Sequence, residues 1–220
     1  MDGMRTAIIG DVHGCIDELN DLLSIAGLDK DVDQIIFLGD LIGKGPDSGA
    51  VYERLRSLGG RSVVGNHEWK LLRALKEAKG SSSFVSRMKK SFGDRFDEFV
   101  KDARGWPACI ETDEMIVVHA GLVPGLRPES TSIGDLVNIR TWDGVGDDLQ
   151  NPENRPWFDF YEGAKLVVFG HWAKLGGVVR ENVVGLDTGC VYGGTLSALL
   201  LPERRIVAVP ARKSYCKIGS

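Results

Sequence analysis

Residues 6–15 read TAIIGDVHGC. An apolar run leads into a glycine, and Asp11 and His13 then stand two positions apart before Gly14 and Cys15. Apolar residues without alternation mark a strand covered on both faces, the kind found in parallel sheets. Gly10 and Gly14 permit a sharp turn and a close approach at the strand's end. Aspartate and histidine are metal-ligand types. The plainer reading of Asp11 is a cap on the helix that follows.

The pattern recurs down the chain. QIIFLG (34–39) and RSVVG (61–65) are further buried strands, and each runs into its own polar cluster, GDLIGKGPDS and GNHE. IDELNDLLSIAG (16–27) and SGAVYERLRSLGG (48–60) carry apolar residues at helical spacing and end at glycine. This β-α-β-α-β order predicts parallel strands joined by right-handed crossovers. A third helix is expected over 67–80, a break at GSSSF and a further helical insert at about 80–105, all inside one domain, 1–220. ACIET and MIVVHAG (115–121) have the form of a hairpin. KLVVFGH (165–171), NVVGLDTG (182–189), TLSALLL (195–201) and RIVAVPA (205–211) are strands at short spacing, so the second half is expected to be richer in antiparallel pairing.

Composition narrows the class. The 220 residues, 43% hydrophobic and 26% charged, suit a globular α/β protein with a full core. No apolar stretch approaches the roughly 18 residues of a membrane span, so no membrane partner is expected. The opening MDGMRTAIIG lacks signal-peptide organisation. Cys15, Cys109, Cys190 and Cys216 show no CxxC pairing, and reduced thiols in the cytoplasm are expected. The net charge of −4 argues against an extended nucleic-acid surface. Residues 70–95 are locally basic, with Lys70, Arg73, Lys76, Lys79, Arg87, Lys89, Lys90 and Arg95 against Glu77 and Asp94. That segment is either a solvated helix face or an attractor for an anionic substrate.

In open α/β sheets ligands bind beyond the carboxyl ends of the strands. The four histidines of the chain, His13, His67, His119 and His171, all lie in clusters at such ends, with Asp11, Asp40 and Asn66. Asp11, His13, Asp40, Asn66, His119 and His171 are more ligands than one ion with open positions uses. Two divalent ions roughly 3.5–4 Å apart account for them. The mixed oxygen and imidazole set suits manganese, iron, cobalt or zinc better than magnesium or calcium, and manganese is the expected metal.

The succession GDVHG, GD-x-x-x-K-G, GNHE and two later histidines resembles the calcineurin-like metallophosphatases, in their phosphoprotein phosphatase branch. FGHWAKLGG followed by GLDTGCVYGGTL is similar to the ending of the symmetrical diadenosine tetraphosphatases (ApaH) and ApaH-like phosphatases. The resemblance implies two packed mixed β-sheets flanked by helices. It implies that Asp11 and His13 bind a first metal, Asp40 bridges both, and Asn66, His119 and His171 bind the second. It makes His67 the general acid and Lys44 a phosphate contact beside Asn66. It leads one to expect a second phosphate-binding arginine, for which Arg140 in NIRTW is the candidate against a surface ion pair.

Two departures bear on the substrate. The protein phosphatases carry an aspartate before the basic residue, which orients the acid histidine; here that position is Gly43, and the basic residue is lysine. Expelling an alkoxide needs a well-supported acid, whereas a phosphate-type leaving group does not. The missing carboxylate therefore favours a phosphoanhydride, unless Gly43 serves backbone geometry instead. Trp69, Trp142, Trp172 and Tyr192 lie beside the motifs, as base-stacking or packing residues. Asp187 in LDTG either orients a ligand histidine or caps a turn. Cys15 and Cys190 read as small buried residues.

The reading is a dinuclear metal-dependent phosphohydrolase acting on an anionic phosphate-containing small molecule. The resemblance points to diadenosine tetraphosphate cleaved symmetrically to two ADP. The alternatives are a serine/threonine phosphoprotein phosphatase, a hydrolase of polyphosphate or of the capped end of an mRNA, and a non-catalytic binding module. The last would lose metal ligands, and none is missing.

Overall fold

A computed structural model describes residues 5–29, 31, 33–77 and 82–217. Lys79 and the start of the GSSSF break lie outside them.

The first sheet begins with three parallel strands, β1 (Arg5–Ile9), β2 (Asp33–Phe37) and β3 (Arg61–Ser62), in the register Ile8↔Ile36 and Phe37↔Ser62. Helix α1 (Ile16–Ala26) joins the first two and stops at Gly27 in the left-handed conformation; α2 (Ser48–Ser57) joins the next two, capped by Asp47 accepting from Ala50 N–H. Helices α3 (Asn66–Lys76), α4 (Ser83–Phe92) and α5 (Phe96–Arg104) follow. Asp11 caps no helix, because Cys15 stands at the cap position of α1, which has no side-chain cap.

The second sheet holds β4 (Cys109–Glu111) and β5 (Met115–Val118), the expected hairpin, then β8 (Leu166–Phe169), β9 (Val178–Val179) and β10 (Val183–Gly185), ordered β4-β5-β8-β10-β9. Between its halves lie α6 (Ile133–Leu136) and a small ribbon of β6 (Thr141–Trp142) and β7 (Arg155–Pro156). The second half holds more antiparallel pairs than the first, as expected, but the middle of this sheet is parallel. β5, β8 and β10 are mutually parallel, and only the flanking β4 and β9 run against them. The chain ends with β11 (Thr195–Leu201) and β12 (Arg205–Pro210), an antiparallel hairpin added to the free edge of β1 to give the order β12-β11-β1-β2-β3.

The sheets pack face to face through Ile8, Ile36, Val117, Val168, Val184 and Leu199. Ala7, Ile9, Ile35 and Phe37, the alternate residues of β1 and β2, face the other way into a core with α1, α2, α4 and α5. A third core behind the second sheet contains Trp157, Phe158 and Phe169. Burial on both faces explains why these strands read as continuous apolar runs. The parallel strands of both sheets present their carboxyl ends along one seam. Asp11 and His13 follow β1, Asp40 follows β2, Asn66 opens α3 after β3, His119 follows β5 and His171 follows β8.

Candidate active site

The donor atoms of Asp11, Asp40 and His119 lie within 4.8 Å of one another, and so do those of His13, Asp40 and His67. Asp40 belongs to both groups. Its Oδ2 is 3.4 Å from His13 Nε2 and its Oδ1 is 3.6 Å from His119 Nε2. The far ring nitrogens are fixed by backbone carbonyls: His13 Nδ1 donates to Ile42 O at 2.9 Å, and His119 Nδ1 donates to Leu38 O at 2.7 Å. A neutral imidazole that donates at Nδ1 holds a lone pair at Nε2. Lone pairs of both histidines therefore point at Asp40. The Asn66 amide sits at the same point, 3.0 Å from His119 Nε2 and 3.2 Å from His171 Nδ1. Turned one way its NH₂ donates to Asp40 and both histidines; turned the other, its oxygen joins the lone pairs. All six side chains expected as metal ligands thus converge.

Their electrostatics fit a cation. Burial, with Asp187 and Asp40 nearby, holds the Asp11 carboxyl well above the usual range, and burial pushes Asp40 up to about 7. Burial also pushes His13 down to about 3 and lowers His119 and His171. Anions and protonated imidazoles are both disfavoured, and a divalent ion reverses the penalty on carboxylates while using the neutral imidazoles as they stand. The backbone is strained to build this set: φ is +50° at His13, +48° at Asp40 and +67° at His171. Left-handed non-glycine residues of this kind cluster at functional sites. Gly170 is required beside them, because a Cβ there would overlap Asp11 Oδ1. His171 N–H donates to the same carboxylate, at 3.0 Å to Oδ2.

Sequence reasoning gave Glu68 no role, although it is the last letter of GNHE. It is fully buried, and its Oε2 accepts from Asp40 N–H at 2.9 Å and Gly65 N–H at 3.0 Å, while Oε1 accepts from Ile42 N–H at 3.3 Å. It clamps the Asp40 loop to the start of α3. His67 N–H in turn donates to Asp40 Oδ1 at 2.9 Å.

The His67 ring packs edge-on to His13 at 4.8 Å and to Phe84 at 5.9 Å between centroids. Its Nδ1 is buried without a hydrogen-bond partner. Gly43 faces that atom with φ +126°, and a Cβ at Gly43 would overlap Nδ1. The position therefore lacks the carboxylate and also the space for one. Burial, with His13 and Lys44, pushes His67 down to about 2. A neutral imidazole at this place offers a hydrogen bond instead of a labile proton.

A model of the calcineurin-like phosphoesterase family matches residues 4–175. This chain belongs to the calcineurin-like phosphoesterase family. It is a metal-dependent hydrolase with the two-sheet fold of that family. It is 31% identical over 272 aligned positions to the symmetrical bis(5'-nucleosyl)-tetraphosphatase of Erwinia tasmaniensis, covering 96% of this chain and 98% of that protein. The protein of the same name from Janthinobacterium sp. is 31% identical over 266 positions, covering 94% and 96%. Among solved structures, one assigned as a diadenosine tetraphosphatase superposes with TM-score 0.84 at 32% identity, covering 96% of this chain and 95% of that one.

In this phosphoesterase a cavity of about 450 Å³ opens over the cluster, lined by His13, Asp40, Asn66, His67 and His171 together with Lys44 and Arg140. Lys44 Nζ donates to Tyr192 Oη and stands 4.8 Å from that ring's centroid. Arg140 is half-buried, with Nε unpartnered, and joins no ion pair among the described residues. It faces the cavity, where the alternative of a surface ion pair would have placed it outside. Asp187 accepts from Gly189 N–H at 3.1 Å, which is the turn-capping arrangement. The aromatic residues divide. Trp142 and Trp172 pack on the third core and Tyr192 on the helix-side core, whereas Trp69 joins none of the three cores among the described residues.

No helix among the described residues is long and apolar enough to cross a membrane.

Proposed function

We propose that this phosphoesterase is a dinuclear enzyme that cleaves the phosphoanhydride of dinucleoside tetraphosphates, diadenosine tetraphosphate being split symmetrically to two ADP. Asp11 and His13 would hold one ion, Asp40 would serve both, and Asn66, His119 and His171 would hold the other, with manganese the proposed metal among the manganese, iron, cobalt and zinc that the ligand set suits. When bound, the ions supply activation of a water and neutralisation of charge at phosphorus. Lys44 and Arg140 face the same cavity and bind the phosphate oxygens. His67 donates a hydrogen bond to the leaving oxygen. The setting is cytoplasmic, which the unpaired Cys15, Cys109, Cys190 and Cys216 support.

The observation that carries the choice of an anhydride is Gly43 against His67 Nδ1. An alkoxide leaving group needs a proton from an imidazole held and charged by a partner. Here the partner is absent, and a residue with a side chain does not fit. A nucleoside diphosphate leaves as a stable anion and needs a hydrogen bond only. The names of the relatives agree with this preference. The test is turnover by the manganese-loaded protein of diadenosine tetraphosphate, polyphosphate, capped RNA and a phosphoserine peptide, with products separated by chromatography. ADP as the sole nucleotide product, at a kcat/KM at least tenfold above the phosphopeptide, is expected. Preferential release of phosphate from the peptide would overturn the proposal.

A further inference from the structure

The ligand cluster has a second cavity beside the first. It is about 540 Å³, meets the first at Asn66, and lies between α3 and the start of α4. Its walls include Trp69, Lys70, Arg73 and Phe84. The first cavity is lined by Trp172, Tyr192, Lys44 and Arg140. Each therefore offers aromatic rings and cations, Lys174 also lining the first, one set on either side of the residues that would hold the metals.

We infer that the cavity between α3 and α4 is the subsite for the departing nucleoside diphosphate, its base on Trp69 and Phe84 and its phosphates toward Lys70. This rests on the dinucleotide reading above and assigns the two halves of that substrate to the two cavities. His67 fixes the direction. It lines the first cavity, and its ring touches Phe84, a wall of the second. A leaving oxygen that takes a hydrogen bond from His67 has its remaining atoms on the Phe84 side. Trp69 is the second argument. It is half-buried yet packs on none of the three cores among the described residues. A large ring lining a cavity beside cations is the arrangement that stacks a nucleobase. The charge is specific too. Arg73 is paired with Glu77 at 3.1 Å, whereas Lys70 Nζ stands over the Phe84 ring, 5.2 Å from its centroid. Lys70 joins no ion pair among the described residues and can turn to a phosphate.

The test uses the metal-loaded protein and two readouts. In the first, Trp69→Ala and, separately, Lys70→Glu are compared with the parent on diadenosine tetraphosphate and on inorganic tetraphosphate, which has no base. The ratio of kcat/KM for the dinucleotide to that for tetraphosphate should fall roughly tenfold in Trp69→Ala, the worth of one stacked base. Lys70→Glu should lower kcat/KM on the dinucleotide with an effect that shrinks as salt rises. The second readout is calorimetric titration with ADP, where the parent should bind two equivalents and Trp69→Ala one. An unchanged ratio and one equivalent of ADP in the parent would overturn the subsite. Lack of dinucleotide turnover by the parent would instead overturn the proposed activity, while the ADP stoichiometry would still decide the subsite.

Discussion

At the scale of single residues, the side chains that converge at the candidate site were legible and their supports were not. Asp11, His13, Asp40, Asn66, His119 and His171 could be named because each follows an apolar run and belongs to a type that binds metals. The groups that orient His13 and His119 are the carbonyls of Ile42 and Leu38, which carry no sequence signature because every residue has one. Glu68 was hidden in plain view, since a carboxylate in the first turn of a helix already has a reason to be there. Its three backbone donors make it a positioning residue for Asp40. In Glu68→Gln one acceptor becomes an NH₂ that meets a backbone N–H, and the Asp40 loop loses its clamp. Manganese affinity, read by titration of the metal-free protein, should fall about 10–100-fold, the usual effect of losing an outer partner of a metal ligand. An unchanged affinity would reduce Glu68 to a packing role. Gly43 shows the opposite limit. The sequence reveals an absent aspartate, but only the geometry shows that Gly43→Asp cannot restore it, because its Cβ would enter the His67 ring.

At the scale of elements, parallel β-α-β order was readable because helices long enough to cross over stood between the strands. The antiparallel pairs of the second half were readable too, but the parallel middle of the second sheet was not, because its crossovers are irregular. The link from β5 to β8 is made of turns, α6 and the β6-β7 ribbon, and short strands at short spacing look like hairpins. The basic segment likewise divides once folded. Arg95 pairs with Glu53 at 2.8 Å and Arg73 with Glu77, while Lys89 and Lys90 occupy the last turn of α4. Lys89 Nζ lies over Phe96, 5.7 Å from its centroid. Reversing Lys89 and Lys90 to Glu should change kcat/KM less than about twofold and lower stability instead, since cations at a helix C-terminus complement its dipole. A large, salt-sensitive loss of kcat/KM would return them to substrate steering.

The loop after β6 has its own fastening. Asp143 accepts from the backbone N–H groups of Val145, Gly146, Asp147 and Asp148, and these bonds, that of Gly146 first, hold its carboxyl down at about 2. The loop leads to Gln150 and Pro152 in the wall of the first cavity. A carboxylate held below its unfolded value stabilises the loop fully above that value, near pH 4, and loses the effect as pH falls toward 2. Protection factors at 145–148, the intrinsic exchange rate over the observed rate at each pH, should therefore stay high at neutral pH and fall only below about pH 4. Asp143→Asn should abolish the protection at pH 7 and raise KM. Protection that survives in the variant would show that the glycine turns alone hold the loop.

At the scale of the whole molecule, the proposed metal site is also a joint. Asp11, His13, Asp40 and Asn66 come from the first sheet and its loops, while His119 and His171 come from the second. The interior seam between the sheets is apolar, and near the site it gives way to buried carboxylates and imidazoles whose lone pairs face one another. Such a cluster is costly without a cation. Metal binds the folded arrangement and not the dispersed chain, so occupancy adds to stability by mass action, about 2.7 kcal/mol at one hundred times Kd. For a domain of roughly 150–250 residues each kcal/mol moves Tm by about 2–4 °C. Chelation should thus lower Tm by roughly 5–10 °C in scanning calorimetry, and returning manganese should restore it. In Asp40→Asn, which removes the shared carboxylate, chelator and manganese should move Tm far less and turnover should be lost, because the link between the sheets is broken whichever ion is present. A parent protein whose Tm ignores both chelator and metal would show that the two sheets are held by their apolar seam alone and that the six side chains do not act together on a cation.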